Sequence, residues 1–180
     1  ESDNLAEFVR NHCLVRIERS AIDARTLQGF PLGFSDRLLA VLYVCDFRVD
    51  GLLFLRRDTI TDVRVNATAA FQRQLMCDAG LVAAEQFCLP YRIDSFASLL
   101  AGLAVNQITI LEQESLDDSR FWIGRSVRRE DGTRWLHEFT GAGNWGDSLT
   151  KIDLNAVTCC QVETNYIRFY QDYFDSQGFP

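Results

Sequence analysis

Few residues of this sequence are of the types on which familiar active sites depend. There are two histidines, His12 and His137, and no Cys-x-x-Cys pair among six cysteines. Gly-x-Ser-x-Gly and His-Glu-x-x-His segments are absent as well, so the patterns of triad hydrolases, zinc hydrolases and structural zinc sites are missing. We therefore expect no cofactor, no metal and no catalytic residue, and the sequence favours a non-enzymatic protein over an enzyme.

Long apolar runs and a surplus of positive charge are missing too. No apolar segment reaches the ~18–20 residues of a membrane-spanning helix, and residues 1–4 are acidic and polar, unlike the start of a signal peptide. The formal net charge is −7. Because phosphate neutralisation dominates nucleic-acid affinity, this charge disfavours nucleic acid as a partner. We expect a cytoplasmic protein without membrane contact, with its cysteines reduced.

Two segments of the chain carry the same order of patterns. Residues 4–76 and 95–174 each begin with a short helical pattern, followed by a strand, an aromatic run into glycine, a hairpin and a last strand. The aromatic runs put Gly33 opposite Gly124. With 47% hydrophobic and 12% aromatic residues, each segment has the material for a core. The order of patterns therefore predicts an internal repeat of two units.

A linker is predicted between the two units. Gly80 can end the preceding helix, and Pro90 disfavours helix in the residue before it. We therefore divide the chain into a first domain at residues 1–79, a linker at residues 80–94 and a second domain at residues 95–180.

The layout of each unit resembles the Sm-like small β-barrel: a short helix, five bent strands and a tight turn before the last strand. Gly33 and Gly124 fall in the second strand, where such barrels have a glycine that lets the strand bend. The resemblance implies a mainly β (α+β) fold of two tandem five-stranded barrels, each with flanking short helices. It also implies RNA binding as an alternative function. The doubled pattern further resembles that of a bacterial protein family, which implies no activity.

Two local patterns suggest chemistry but have simpler interpretations. Residues 141–146 spell Gly-x-Gly-x-x-Gly. A dinucleotide site needs a helix directly after this motif, whereas residues 147–152 read as turn and strand, so we predict a hairpin loop. Glu112 and Glu114 share one face of a strand without the alternating oxygen ligands of a calcium loop. We expect these two carboxylates to be solvated.

One group of residues in the second hairpin suggests a binding patch, because arginines and aromatic rings suit stacking on bases or a protein hot spot. Its members are Arg125, Arg128, Arg129, Arg134, Trp122 and Trp135. The alternative is that the tryptophans belong to the core and the arginines offset neighbouring acids. Both interpretations remain open at this point.

The C-terminal segment predicts a helix with an aromatic face, because its rings recur at helical spacing. The rings are those of Tyr166, Phe169, Tyr170, Tyr173 and Phe174. Such a face exposed to water would be unusually apolar, so we predict that it docks within the chain or across a homodimer.

The leading hypothesis is a non-enzymatic interaction or scaffold module with a protein partner. An RNA-binding Sm-like protein is one alternative. An enzyme of unrecognised type, with its site between the two units, is the other. A polar cleft between the units that holds His137 beside acids would favour the enzyme.

Overall fold

Antiparallel strands dominate the structure, a computed structural model that describes residues 2–128 and 134–178. The strands of the first half are β1 (Val15–Arg19), β2 (Asp23–Phe34), β3 (Leu38–Cys45), β4 (Arg48–Arg56) and β5 (Asp62–Arg64). Those of the second half are β6 (Ile108–Gln113), β7 (Arg120–Arg128), β8 (Arg134–Phe139), β9 (Trp145–Lys151) and β10 (Cys159–Val162). The helices are α1 (Ser2–Arg10), α2 (Ala67–Asp78), α3 (Phe96–Gly102) and α4 (Asn165–Ser176), with 3₁₀ turns at Arg57–Thr59 and Ala84–Phe87. Arg129 of the predicted patch lies outside the described residues.

One open sheet contains these strands, in the order β5-β1-β2-β3-β4-β10-β6-β7-β8-β9. The mainly β class is therefore confirmed, but the prediction of two closed five-stranded barrels is wrong. A barrel closes when the outer strands of one half pair with each other. Here β4 pairs with β10 of the other half, with Leu55 opposite Cys159 and Leu52 opposite Val162. This pairing leaves β5 and β9 as the edges of one continuous sheet.

The two halves share a strand order. Across the sheet, each half places its fifth strand first, followed by its first, second, third and fourth strands. Descent of both halves from one duplicated Sm-like unit stays a prediction.

Gly29, rather than Gly33, holds the place in β2 that Gly124 holds in β7. Each of the two pairs with the first and the third strand of its half. A Cβ atom on Gly124 would overlap the carbonyl oxygen of His137, and one on Gly29 would overlap the backbone of β3. A Cβ on Gly33 would meet only side chains, the nearest being Leu89 at 3.0 Å. The close backbone approach that requires glycine therefore lies four residues before the predicted position in the first half.

The largest hydrophobic core is shared by both halves. It combines Phe54 of β4 with Leu111 of β6, and α3 covers part of it. Residues 80–94, predicted as a linker, lie against this core through Phe87 and Ile93. The division of the chain into two domains at this segment stays a prediction.

Two smaller clusters lie under the terminal helices. Leu5 of α1 covers a cluster that contains Ile17, and Phe174 of α4 covers one that contains Ile110. Because adjacent strand residues point to opposite faces, Ile110 under α4 and Leu111 in the main core place α4 and the main core on opposite faces of the sheet. Among the described helices, none is both long and apolar enough to cross a membrane.

Candidate functional site

The predicted binding patch is divided between the two faces of the second half. Trp122 packs against the main core. Arg125 lies on the other face, with its guanidinium carbon 4.8 Å from the ring centre of Trp145. The far end of the β7–β8 ladder contains the other described members, with Arg128 opposite Arg134 and Val127 opposite Trp135. Binding of RNA or protein by the six residues together stays a prediction.

Arg125 is 7% exposed and lies at the edge of the cluster under α4. Burial lowers the pKa of its guanidinium, and the carboxylate of Asp175 partly opposes that effect. The cation over the Trp145 ring gains a cation–π contact. Arg125 therefore anchors this cluster electrostatically instead of extending into solvent.

Aromatic rings fill the space between α4 and the sheet. Phe174 is fully buried, with its ring centre 4.9 Å from that of Phe139 and 4.8 Å from that of Trp145. Tyr170 is half-buried, and its hydroxyl donates to the carbonyl oxygen of Gly141 at 2.9 Å. The edge-on and tilted ring geometries are those that aromatic pairs prefer. Part of the C-terminal aromatic face thus docks within the chain.

The rest of that aromatic face points to solvent. Tyr166, Phe169 and Tyr173 are 51%, 71% and 49% exposed. Their spacing of three and four residues puts the three rings along one side of α4. We call this set the α4 face.

The helix after β5 has the same internal layout as α4. Asn66 caps α2 by accepting from the backbone N–H of Ala69, and Thr164 caps α4 by accepting from that of Ile167. In both helices the third and tenth residues are buried. Those residues are Ala69 and Met76 in α2, and Ile167 and Phe174 in α4.

Exposed apolar residues recur at matching positions as well. Phe71 and Phe169 are the fifth residues of their helices and are 63% and 71% exposed. Leu75 and Tyr173 are the ninth residues and are 42% and 49% exposed. We call the Phe71–Leu75 pair the α2 face. Both halves therefore leave the same side of the corresponding helix uncovered.

The glycine-rich segment borders the α4 face. Its first four residues, 141–144, lie in the hairpin loop between β8 and β9, as predicted, whereas Trp145 and Gly146 already belong to β9. Gly143 in this loop adopts a φ of 76°. A Cβ on Gly143 would lie 3.3 Å from the ring of Tyr173. At Gly143 the loop therefore packs against α4 through its backbone, without an intervening side chain.

A buried ion pair joins the two halves on the α4 side of the junction. Arg19, at the end of β1, is 1% exposed and binds both carboxylate oxygens of Glu114, which is 8% exposed. Thr158 donates its hydroxyl to Glu114 at 2.9 Å. Burial raises the pKa of neighbouring Glu112, while a hydrogen bond from Gln161 opposes that shift. The prediction that Glu112 and Glu114 are solvated is wrong, because Arg19 of the other half brings the strand end into the interior.

A cleft of about 400 Å³ also lies at the junction of the halves. Arg56 in its wall donates to Asp58 at 2.7 Å and to the backbone carbonyl of Asn155 at 2.6 Å. His137 is elsewhere, with its Nε2 2.8 Å from the carbonyl oxygen of Gly146. Within the described ranges, no three His, Cys, Asp or Glu side chains are grouped to hold a metal ion. The cleft that the described residues form at the junction therefore does not contain His137.

Both edges of the sheet are poorly suited to strand addition. β5 has three residues, and its Arg64 forms ion pairs with Glu18 and Asp62. β9 pairs irregularly with β8 and ends at Lys151. Short, charged and bulged edges resist pairing with another chain. The helix faces are therefore the better candidates for contacts with partners.

No protein-family model, curated protein or solved structure matches this chain. Function is therefore inferred from its own surfaces. The sequence indicated the aromatic residues of α4, but not which of them stay exposed, and the Phe71–Leu75 pair of the α2 face was not among the predicted site residues. The shared spacing from the caps Asn66 and Thr164 is the signal that could have aligned the two helices.

Proposed function

We propose that this chain is a non-enzymatic protein-interaction module that binds partners through the α2 and α4 faces. The observation that supports the proposal is the recurrence of exposed apolar residues at the fifth and ninth positions of both helices. Single exposed apolar side chains are common on protein surfaces. Here two exposed apolar residues lie one turn apart, and the same pair of positions is exposed on the equivalent helix of the other half. Isolated exposed residues would not be expected to recur in this way.

The exposed rings are available to a partner because the fold makes little use of them. Full burial of a Phe or Leu side chain contributes about 1.5–3 kcal/mol, and most of the surface of Phe71 and Phe169 is still in water. A partner that covers either pair would gain much of this free energy.

The two faces suit a scaffold role. Met76 anchors α2 on the main core, whereas Phe174 anchors α4 on the cluster at the opposite face of the sheet. Partners bound at the two helices would therefore occupy different sides of the molecule, and one chain could hold both.

The test compares proteins retained by immobilised wild-type chain with those retained by Phe71→Ser/Leu75→Ser and Phe169→Ser/Tyr173→Ser. Val105→Ser is the matched control, since Val105 is 87% exposed and belongs to neither helix. We expect each double variant to lose a distinct set of retained proteins at an unchanged unfolding midpoint, and the control to lose none. Identical retention by all four proteins would refute the proposal.

A further inference from the structure

The α4 face is too small to hold a folded partner by itself. An aromatic side chain offers roughly 150–250 Å², so the exposed fractions of Tyr166, Phe169 and Tyr173 amount to about 300–400 Å². A stable interface buries about 800 Å² on each partner. The area therefore fits a short segment better than a second copy of this chain.

An unpaired negative charge lies beside the rings. Asp172 is exposed, and within the described part of the chain its side chain has no ion pair or hydrogen bond. It directly precedes Tyr173 and follows Phe169 by three residues, so it borders the α4 face. The basic residue closest in sequence, Arg168, is directed to Glu163 at 3.7 Å.

Electron-rich rings next to a free carboxylate favour a cation. A planar guanidinium group can stack on a Tyr or Phe ring while its N–H groups donate to a neighbouring carboxylate. An ammonium group is compact and strongly hydrated, so it combines these two contacts less well. The net charge of −7 would draw a basic segment toward the chain. We infer that the α4 face binds a short, arginine-bearing segment of a partner protein.

The α2 face lacks this chemistry and provides an internal control. Its exposed pair is Phe71 and Leu75, without tyrosine. The acid at its end, Asp78, already accepts a hydrogen bond from Gln74 at 2.7 Å. The inference rests on the proposed interaction function, and it assigns to the α4 face a partner segment that contains arginine, which the α2 face is not expected to bind.

The experiment titrates the full chain into fluorescently labelled peptides of alanine and glycine that carry three arginines, three lysines or three glutamates. Anisotropy at about 0.05 M and 0.15 M salt separates general charge attraction from the specific contact. We expect the arginine peptide to bind about three- to tenfold more tightly than the lysine peptide, and the glutamate peptide not to bind. Phe169→Ser/Tyr173→Ser should weaken arginine-peptide binding about tenfold and Asp172→Asn several-fold. Phe71→Ser/Leu75→Ser and Asp118→Asn, a change at an exposed acid elsewhere, should leave it unchanged.

Equal affinity for the arginine and lysine peptides would overturn the inference, as would equal weakening by Asp172→Asn and Asp118→Asn. A dimer by light scattering that Phe169→Ser/Tyr173→Ser makes monomeric would show that a second copy covers the face, and would overturn it too. If the same double variant loses retained proteins while the arginine peptide never binds, the interaction function stands and the arginine inference alone fails.

Discussion

Replacing Glu114 by alanine should lower the free energy of unfolding by about 3–5 kcal/mol, because it leaves a buried cation without its main partner. Arg19 is 1% exposed, and among the described residues it would keep just Asp23, at 3.3 Å, as an anion contact. Burial by itself lowers the pKa of Arg19, and the hydrogen bond and charge of Glu114 raise it above its ordinary value. The substitution therefore removes the interaction that allows this charge to be buried.

A double-mutant cycle tests this reasoning. Arg19→Met combined with Glu114→Leu replaces the pair by apolar groups, so it should be far less destabilising than the sum of the two single changes. Urea unfolding followed by circular dichroism gives the four free energies. Additive losses, or a loss below about 1 kcal/mol for Glu114→Ala, would refute the reasoning that each of the two buried charges is compensated by the other.

Three further predictions concern other buried groups. Burial raises the pKa of Glu112 above its ordinary 4.5, so the charged carboxylate opposes folding at neutral pH. Glu112→Gln should therefore increase the free energy of unfolding measured in urea at pH 7. Below pH 4.5 the carboxyl group is protonated in both the folded and the unfolded chain, so the gain should disappear. Gly124→Ala should cost about 3 kcal/mol or more through overlap with backbone, whereas Gly33→Ala should cost under about 1 kcal/mol, and equal thermal shifts would contradict the assigned close approach. Burial raises the pKa of Cys160 to about 12, so mass spectrometry after alkylation at pH 8 should show exposed Cys45 modified and Cys160 protected until urea unfolds the chain.

The sequence predicted elements better than their assembly. Alternation of apolar and polar residues from Leu14 to Ile17 predicts a strand from local sequence alone, and β1 lies there. Asp50–Gly51 suggests a hairpin turn by the same kind of local signal, but that prediction is wrong: the two residues lie within β4, and the turn between β3 and β4 is at Asp46 and Phe47. Which strand completes a sheet depends on a pairing between residues far apart in the chain, such as Leu55 with Cys159. No local pattern distinguishes that pairing from barrel closure, so the prediction of two closed barrels was wrong even though the chain is mainly β.

The candidate site shows the same limit. Helical spacing placed the five aromatic residues on one side of α4, but spacing does not tell which part of that side meets the sheet. Phe174 is buried because Phe139 and Trp145 lie opposite it, and Phe169 is exposed because nothing described lies opposite it. Glu114 looked solvated for a related reason, since its partner Arg19 is distant in the sequence.

The β4–β10 pairing also sets an order of events during synthesis. β4 leaves the ribosome about a hundred residues before its neighbour β10, which is the last of the described strands. Until then β4 can pair with β3 on one side, but its other backbone edge, where β10 will pair, is open beside Leu53 and Leu55. Unpaired strand edges of nascent chains tend to associate with other chains. A nascent first half would therefore need either rapid completion of the chain or a chaperone that covers this edge, and a stop codon just before β10 should yield an aggregating product rather than a smaller folded one.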